Sequence, residues 1–135
     1  MKISFDISGL SELNSSINRL KIDVIGATKK GMLAEAQEIM DESVSQVPRE
    51  TDALLNSAFV ELDGDGNVIF GYGGDHAQTN SKTGKSVNDY MVAVHERQDL
   101  SHPVGKSKFL EDPVNAHKVK IESSLISKIR GFFHF

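Results

Sequence analysis

Apolar residues along this chain keep changing their spacing, and each change predicts a change of element. Ile3, Phe5 and Ile7 alternate with Lys2, Ser4 and Asp6, a period of two that predicts a short strand over residues 1–7. Leu10, Leu13, Ile17, Leu20 and Val24 then step by three or four. That is one stripe of an amphipathic helix, with Ser8 or Ser11 placed to cap it. Gly26 is expected to interrupt it. A second stripe, Leu33, Ala36, Met40, Val44 and Val47, predicts a second helix with Glu35, Glu38, Asp41 and Glu42 on its outer face. Pro48 ends that helix because it lacks an N–H for the ladder.

Beyond the proline the period shortens again. A strand is expected around Ser57–Leu62, then a turn at Asp63-Gly64-Asp65-Gly66, where glycine permits positive φ and aspartate bonds its own backbone. Val68, Phe70 and Tyr72 alternate as the returning strand of a hairpin. Residues 73–89 form a long polar tract without apolar anchors, read as a functional or mobile loop. Tyr90–Val94 reads as a third strand, and Leu100–Lys108 as a second loop containing His102-Pro103 and Gly105. The last helix starts near Phe109–Pro113 and carries Ile121, Leu125, Ile129 and Phe132, with Val114, Ile126 and Phe133 widening the face. Lys128 and Arg130 fall late in it, where they complement the helix dipole. The expected fold is α+β: N-terminal helices and a C-terminal helix packed on a small antiparallel sheet of three to four strands.

Composition narrows the picture. The chain has 135 residues, enough for one domain over 1–135. It has no cysteine, which suits a reducing cytosol. Met1–Leu10 lacks the basic start and apolar run of a leader, and no stretch approaches a membrane span. The net charge of −4 is unevenly spread: −2 over 1–46, −5 over 47–100 and +3 over 101–135. Such asymmetry favours head-to-tail contact between copies.

Several fragments of catalytic or metal motifs are incomplete. Thr83-Gly84-Lys85-Ser86 matches the end of a phosphate-binding loop, but Thr79 stands where the motif needs glycine. Asp63, Asp65 and Asn67 open like a calcium loop, yet Val68 and Gly74 hold its sixth and twelfth positions. His95-Glu96 lacks the second histidine four residues on, where Asp99 stands; His76, His95 and His102 would have to converge from separate segments to bind zinc. No serine sits in a nucleophile elbow. Neither an enzyme, a cofactor nor a metal site is expected, and the acidic balance argues against nucleic-acid binding.

Three stretches, taken in order, resemble a known family. Pro48-Arg49-Glu50-Thr51-Asp52-Ala53-Leu54-Leu55-Asn56-Ser57 is similar to a proline, threonine-glycine, leucine, serine pattern between a long helix and a hairpin. Tyr90-Met91-Val92-Ala93-Val94-His95-Glu96 is similar to a tyrosine-to-histidine-glutamate strand motif. Gly105-Lys106-Ser107-Lys108-Phe109-Leu110-Glu111-Asp112-Pro113 is similar to the start of a closing helix. The family is the neck, or tail-completion, proteins of long-tailed siphophages, also called minor capsid or head–tail joining proteins. Asp52 replaces that pattern's glycine, and Met91 its alanine. The resemblance implies a virion structural protein in a homo-oligomeric ring at the head–tail junction. Its partners would be further copies, connector or head-closure proteins, and tail-terminator or tail-tube proteins, with DNA at most passing through the lumen.

The resemblance gives Pro48, Thr51, Leu54, Ser57, Tyr90, His95, Glu96, Phe109, Leu110 and Pro113 structural roles. Interface candidates are Thr79, Lys82 and Lys85 in the polar tract, His102 and Lys106 in the second loop, and Phe132, Phe133 and Phe135 in the aromatic tail. The other reading is a small soluble regulatory or inhibitor protein that binds one protein partner.

Overall fold

A computed structural model describes residues 8–99, 102 and 104–132, with side chains from residue 12 onward in that span. The predicted strand over 1–7 lies outside the described residues, as do Phe133 and Phe135. In chain order the elements are α1 (Ser8–Gln46), β1 (Ala58–Leu62), β2 (Val68–Tyr72), α2 (Val87–Glu96), α3 (Glu111–Lys118) and α4 (Ile121–Phe132). This is a mixed helix-and-strand fold.

The two expected N-terminal helices are one. α1 runs unbroken for 39 residues through Gly26. A lone interior glycine costs only about 1 kcal/mol, too little to break so long a ladder. From Ala27 onward two faces of α1 are covered. One carries Met40 and Ser43 into the core, with Val47 just past the helix end, and the other meets α4. The acidic outer face expected there is therefore only partly right: Glu35 is 4% exposed and points at α4, because that side is covered too.

β1 and β2 pair antiparallel, Ala58 with Tyr72 through Leu62 with Val68. Among the described residues the sheet has these two strands, not three to four. The missing strand is α2, since Tyr90–Val94 is helical. Ser86 caps this helix by accepting the Asn88 N–H at 3.3 Å. Val87, Tyr90, Met91 and Val94 then bury at helical spacing. A five-residue apolar run fits either period, and the cap decides it.

The core is Met40, Val47, Ala53, Leu54, Tyr72, Val87 and Phe109. Tyr72 meets Phe109 edge-on at 5.2 Å and shares a 2.7 Å hydrogen bond with Ser43. Burial raises the Tyr72 pKa, and the Ser43 bond partly offsets the rise.

The expected single closing helix is two. α3 starts at Glu111 with Pro113 buried in its first turn, and the chain turns at Val119–Lys120 before α4. α4 then packs along α1 at Gly31, where an added Cβ would lie 2.6 Å from Ile129 Cγ1. Glycine lets the two helices approach closely.

Gly26 and Gly31 separate propensity from packing. Gly26→Ala, which meets nothing within 4 Å, is expected to stabilise the protein by about 0.5–1 kcal/mol. Gly31→Val is expected to destabilise it by about 1–3 kcal/mol by levering α4 away. Urea denaturation followed by far-UV circular dichroism measures both.

Candidate assembly surface

The sequence-selected residues gather around α2, which separates two depressions. On one side Pro48, Thr51, Leu54, Lys85, Tyr90 and His102 line a cleft of about 310 Å³. On the other, His95, Glu96, Phe109 and Leu110 join Phe59, Phe70, Met91 and Val92 around an apolar groove of about 300 Å³.

The corner after α1 builds the cleft. Leu54 and Ser57 are buried, and Ser57 Oγ donates to the Leu54 carbonyl at 2.6 Å. Asp52, where the resembled pattern has glycine, has φ of 60° and pairs with Arg49 at 2.9 Å. Arg49 first, through its hydrogen bond and then its charge, holds the Asp52 carboxyl below its ordinary range. Left-handed backbone is what glycine adopts at little cost, and aspartate tolerates it better than most.

The polar tract 73–89 is folded rather than structureless, because Asn80 anchors its middle and Val87 buries its end in the core. Asn80 is buried, and its side-chain oxygen accepts from the backbone of Lys82 and Thr83. Its own N–H bonds the Lys85 carbonyl at 2.8 Å. Thr79 bridges Ser86 across this turn, Lys82 reaches Glu50 at 3.7 Å, and the tract's last three residues already belong to α2. Burial raises the Tyr90 pKa, opposed by a hydrogen bond to Asn80.

Phe109 closes the groove from beneath, almost fully buried and edge-on to the His95 ring at 5.0 Å. His95 is fully engaged. Its Nε2 accepts the Glu111 N–H at 3.2 Å and its Nδ1 faces Glu96 at 2.9 Å. His95, Glu96 and Glu111 lie close enough to suggest a metal, but the Lys108 ammonium already pairs with both glutamates. A hydrogen bond from Lys108, then one from His95, holds the Glu96 carboxyl below its ordinary pKa. These contacts fix the start of α3 and leave the histidine no free lone pair. His76 instead stacks on Phe59, and His102 lines the cleft, so the three histidines keep separate neighbours. Lys106 pairs with Asp112 beside the buried Pro113.

Sequence reasoning missed the polar seam between α1 and α4. Lys128 Nζ lies 2.6 Å from both Glu35 and Glu38, and Ser124 donates to Glu35 at 2.7 Å. The His117 ring sits between Glu42 at 2.8 Å and Glu35 at 3.5 Å. Burial alone would raise the Glu35 pKa. Hydrogen bonds from Lys128 and Ser124, the Lys128 charge and His117 together hold it below the ordinary 4.5. Lys128 therefore serves a specific carboxylate pair as well as the helix dipole. The signal was the placement of Glu35 between Met32 and Ile39, but periodicity alone cannot say that both faces are covered.

The other missed feature is the bare half of α1. Leu13, Ile17, Leu20 and Val24 stay 55, 42, 47 and 42% exposed along one stripe. Residues 12 to 25 are all exposed, so nothing described in this chain covers them. Phe132 is half-exposed at the end of α4. Among the described residues no helix is long and apolar enough to cross a membrane. No family model matches the chain, and no curated protein or solved structure matches it either.

Two substitutions test this geometry. Glu35 contributes stability above its unfolded pKa of 4.5, and loses it as pH falls through the lower folded value. Lys128→Met is expected to cost about 2 kcal/mol at pH 7, and Glu35→Gln to flatten the loss of stability below pH 4.5. Urea midpoints at pH 7 and in acid read both. At the corner, Asp52→Ala is expected to lower Tm by about 2–5 °C. Asp52→Gly should hold Tm near the parent's, as read by calorimetry.

Proposed function

We propose that this protein is a structural subunit of a tailed-bacteriophage virion, part of an oligomeric ring at the head–tail junction. The observation that carries the reading is the bare apolar stripe of α1. Four large side chains on one helix face are too costly to leave in water unless another chain covers them. The groove beside α2 fits this, since its His95 and Glu96 are tied up with Glu111 and Lys108. The protein acts by assembly, without turnover.

An uncovered helix face suits any obligate binder; the resemblance to siphophage neck and tail-completion proteins selects this one. The left-handed Asp52 supports it, because the pattern's glycine position is one where the backbone favours glycine. Other copies form the ring, connector or head-closure proteins lie on one side, and tail-terminator or tail-tube proteins on the other. DNA passes at most through the lumen, where the acidic stretch 47–100 would repel it.

The test is cryo-electron microscopy of phage particles carrying a tag at Ser81, an exposed residue of the polar tract. The expected result is extra density repeating around the head–tail junction. Particles that lack the tagged chain yet infect normally would overturn the proposal and favour a soluble regulator of one protein partner.

A further inference from the structure

We infer that the bare stripe of α1 docks into the apolar groove beside α2 on a second copy of this chain, head to tail. The inference rests on the self-assembly part of the reading above and names the surfaces involved.

The stripe is convex, with Leu13, Ile17, Leu20 and Val24 projecting from a helix that has left its own body behind. The groove is its concave counterpart, with Phe59, Phe70, Met91 and Leu110 around an opening of about 300 Å³. On its rim Val92 is 63% exposed, with Asp89 and Glu96 one helical turn to either side. An amphipathic helix laid in an apolar groove is a standard mode of recognition, read as anchors three and four residues apart.

Charge selects the second copy and this depression. Residues 8–30 carry four basic side chains, including Arg19 and Lys21 within the bare half, against two acidic ones. Residues 58–96 and 108–111, which build the groove, carry seven acidic against three basic. A net of +2 thus faces a net of −4. Lys108 is already paired with Glu96 and Glu111, whereas Lys82 and Lys85 stand on the other side of α2 around the cleft, where they would repel Arg19 and Lys21. Because α1 is one continuous helix, its bare half points away from its own groove and serves a neighbour. Stripe and groove are different surfaces, so the contact is heterologous: repeated, it closes into a ring or extends as a filament.

The absence of cysteine makes the test clean. Leu20→Cys and Val92→Cys variants, purified separately with tags of different size, are mixed under mild oxidation. A disulfide needs Cα atoms within about 7 Å, so the mixed disulfide joining position 20 of one copy to position 92 of the other is expected to outpace both homodimers. Adding Arg19→Glu and Lys21→Glu to the first variant should slow it about two- to fivefold or more. Leu20→Cys homodimers alone would mean that two stripes pair with each other, and would overturn the inference, as would no cross-link at all. Oligomers that form without the mixed disulfide refute this contact but leave the ring intact. A mixed disulfide from a chain missing in virions refutes the neck assignment and leaves the contact intact.

Discussion

A 39-residue helix is longer than any other element described in this chain. At 1.5 Å per residue α1 spans roughly 58 Å, whereas α4 covers about 18 Å and a five-residue strand about 17 Å. Hairpin and α4 both run beside its C-terminal half; the hairpin's Gly66 would bring a Cβ within 3.8 Å of Lys29. The overhang follows from this mismatch of lengths. The overhang is what leaves the apolar stripe of residues 13–24 uncovered by any described part of the chain.

The covered half is held by two unlike interfaces. Toward the hairpin and α2 it is an ordinary apolar core, with Met40 and Val47 packed among Tyr72, Val87 and Phe109. Toward α4 it is a line of paired charges around Glu35, admitted by the small Gly31. The first interface is indifferent to acid. The second depends on a carboxylate staying ionised in a covered place, which its hydrogen bonds ensure. Two sets of forces therefore hold the root of α1 in place.

Long, strongly periodic features were legible in the sequence. Both stripes of α1, its end at Pro48 and the hairpin at Asp63–Gly66 stand where spacing and turn chemistry put them. Short runs were not. Tyr90–Val94 is an unbroken apolar run that fits a strand as well as a helix, and only the Ser86 cap and the burial of Val87 make it a helix. The tract 73–89 looked structureless because its middle is anchored by an asparagine satisfying backbone groups, and its one fully buried apolar residue, Val87, stands alone near its end. Of the residues chosen from the sequence, Pro48, Thr51, Leu54, Lys85, Tyr90 and His102 met in the cleft, and His95, Glu96, Phe109 and Leu110 in the groove, but as supports. The exposed stripe was visible as amphipathic spacing, yet spacing cannot distinguish a face buried in its own fold from one left open.

The composition of the overhang adds a kinetic consequence. Asn14, Ser15, Ser16 and Asn18 weaken a helix, as do the β-branched Ile22, Val24 and Ile25 near Gly26. A stretch of this length is marginal as an isolated helix, so in a free subunit its turns open and reclose at little cost. Its apolar side chains then line up as one stripe for only part of the time, which, in the assembly we propose, weakens chance pairing among newly made subunits. Once one neighbour has ordered the helix, that ordering cost is met for the contacts that follow. On that proposal, assembly is slow to start and quick to finish.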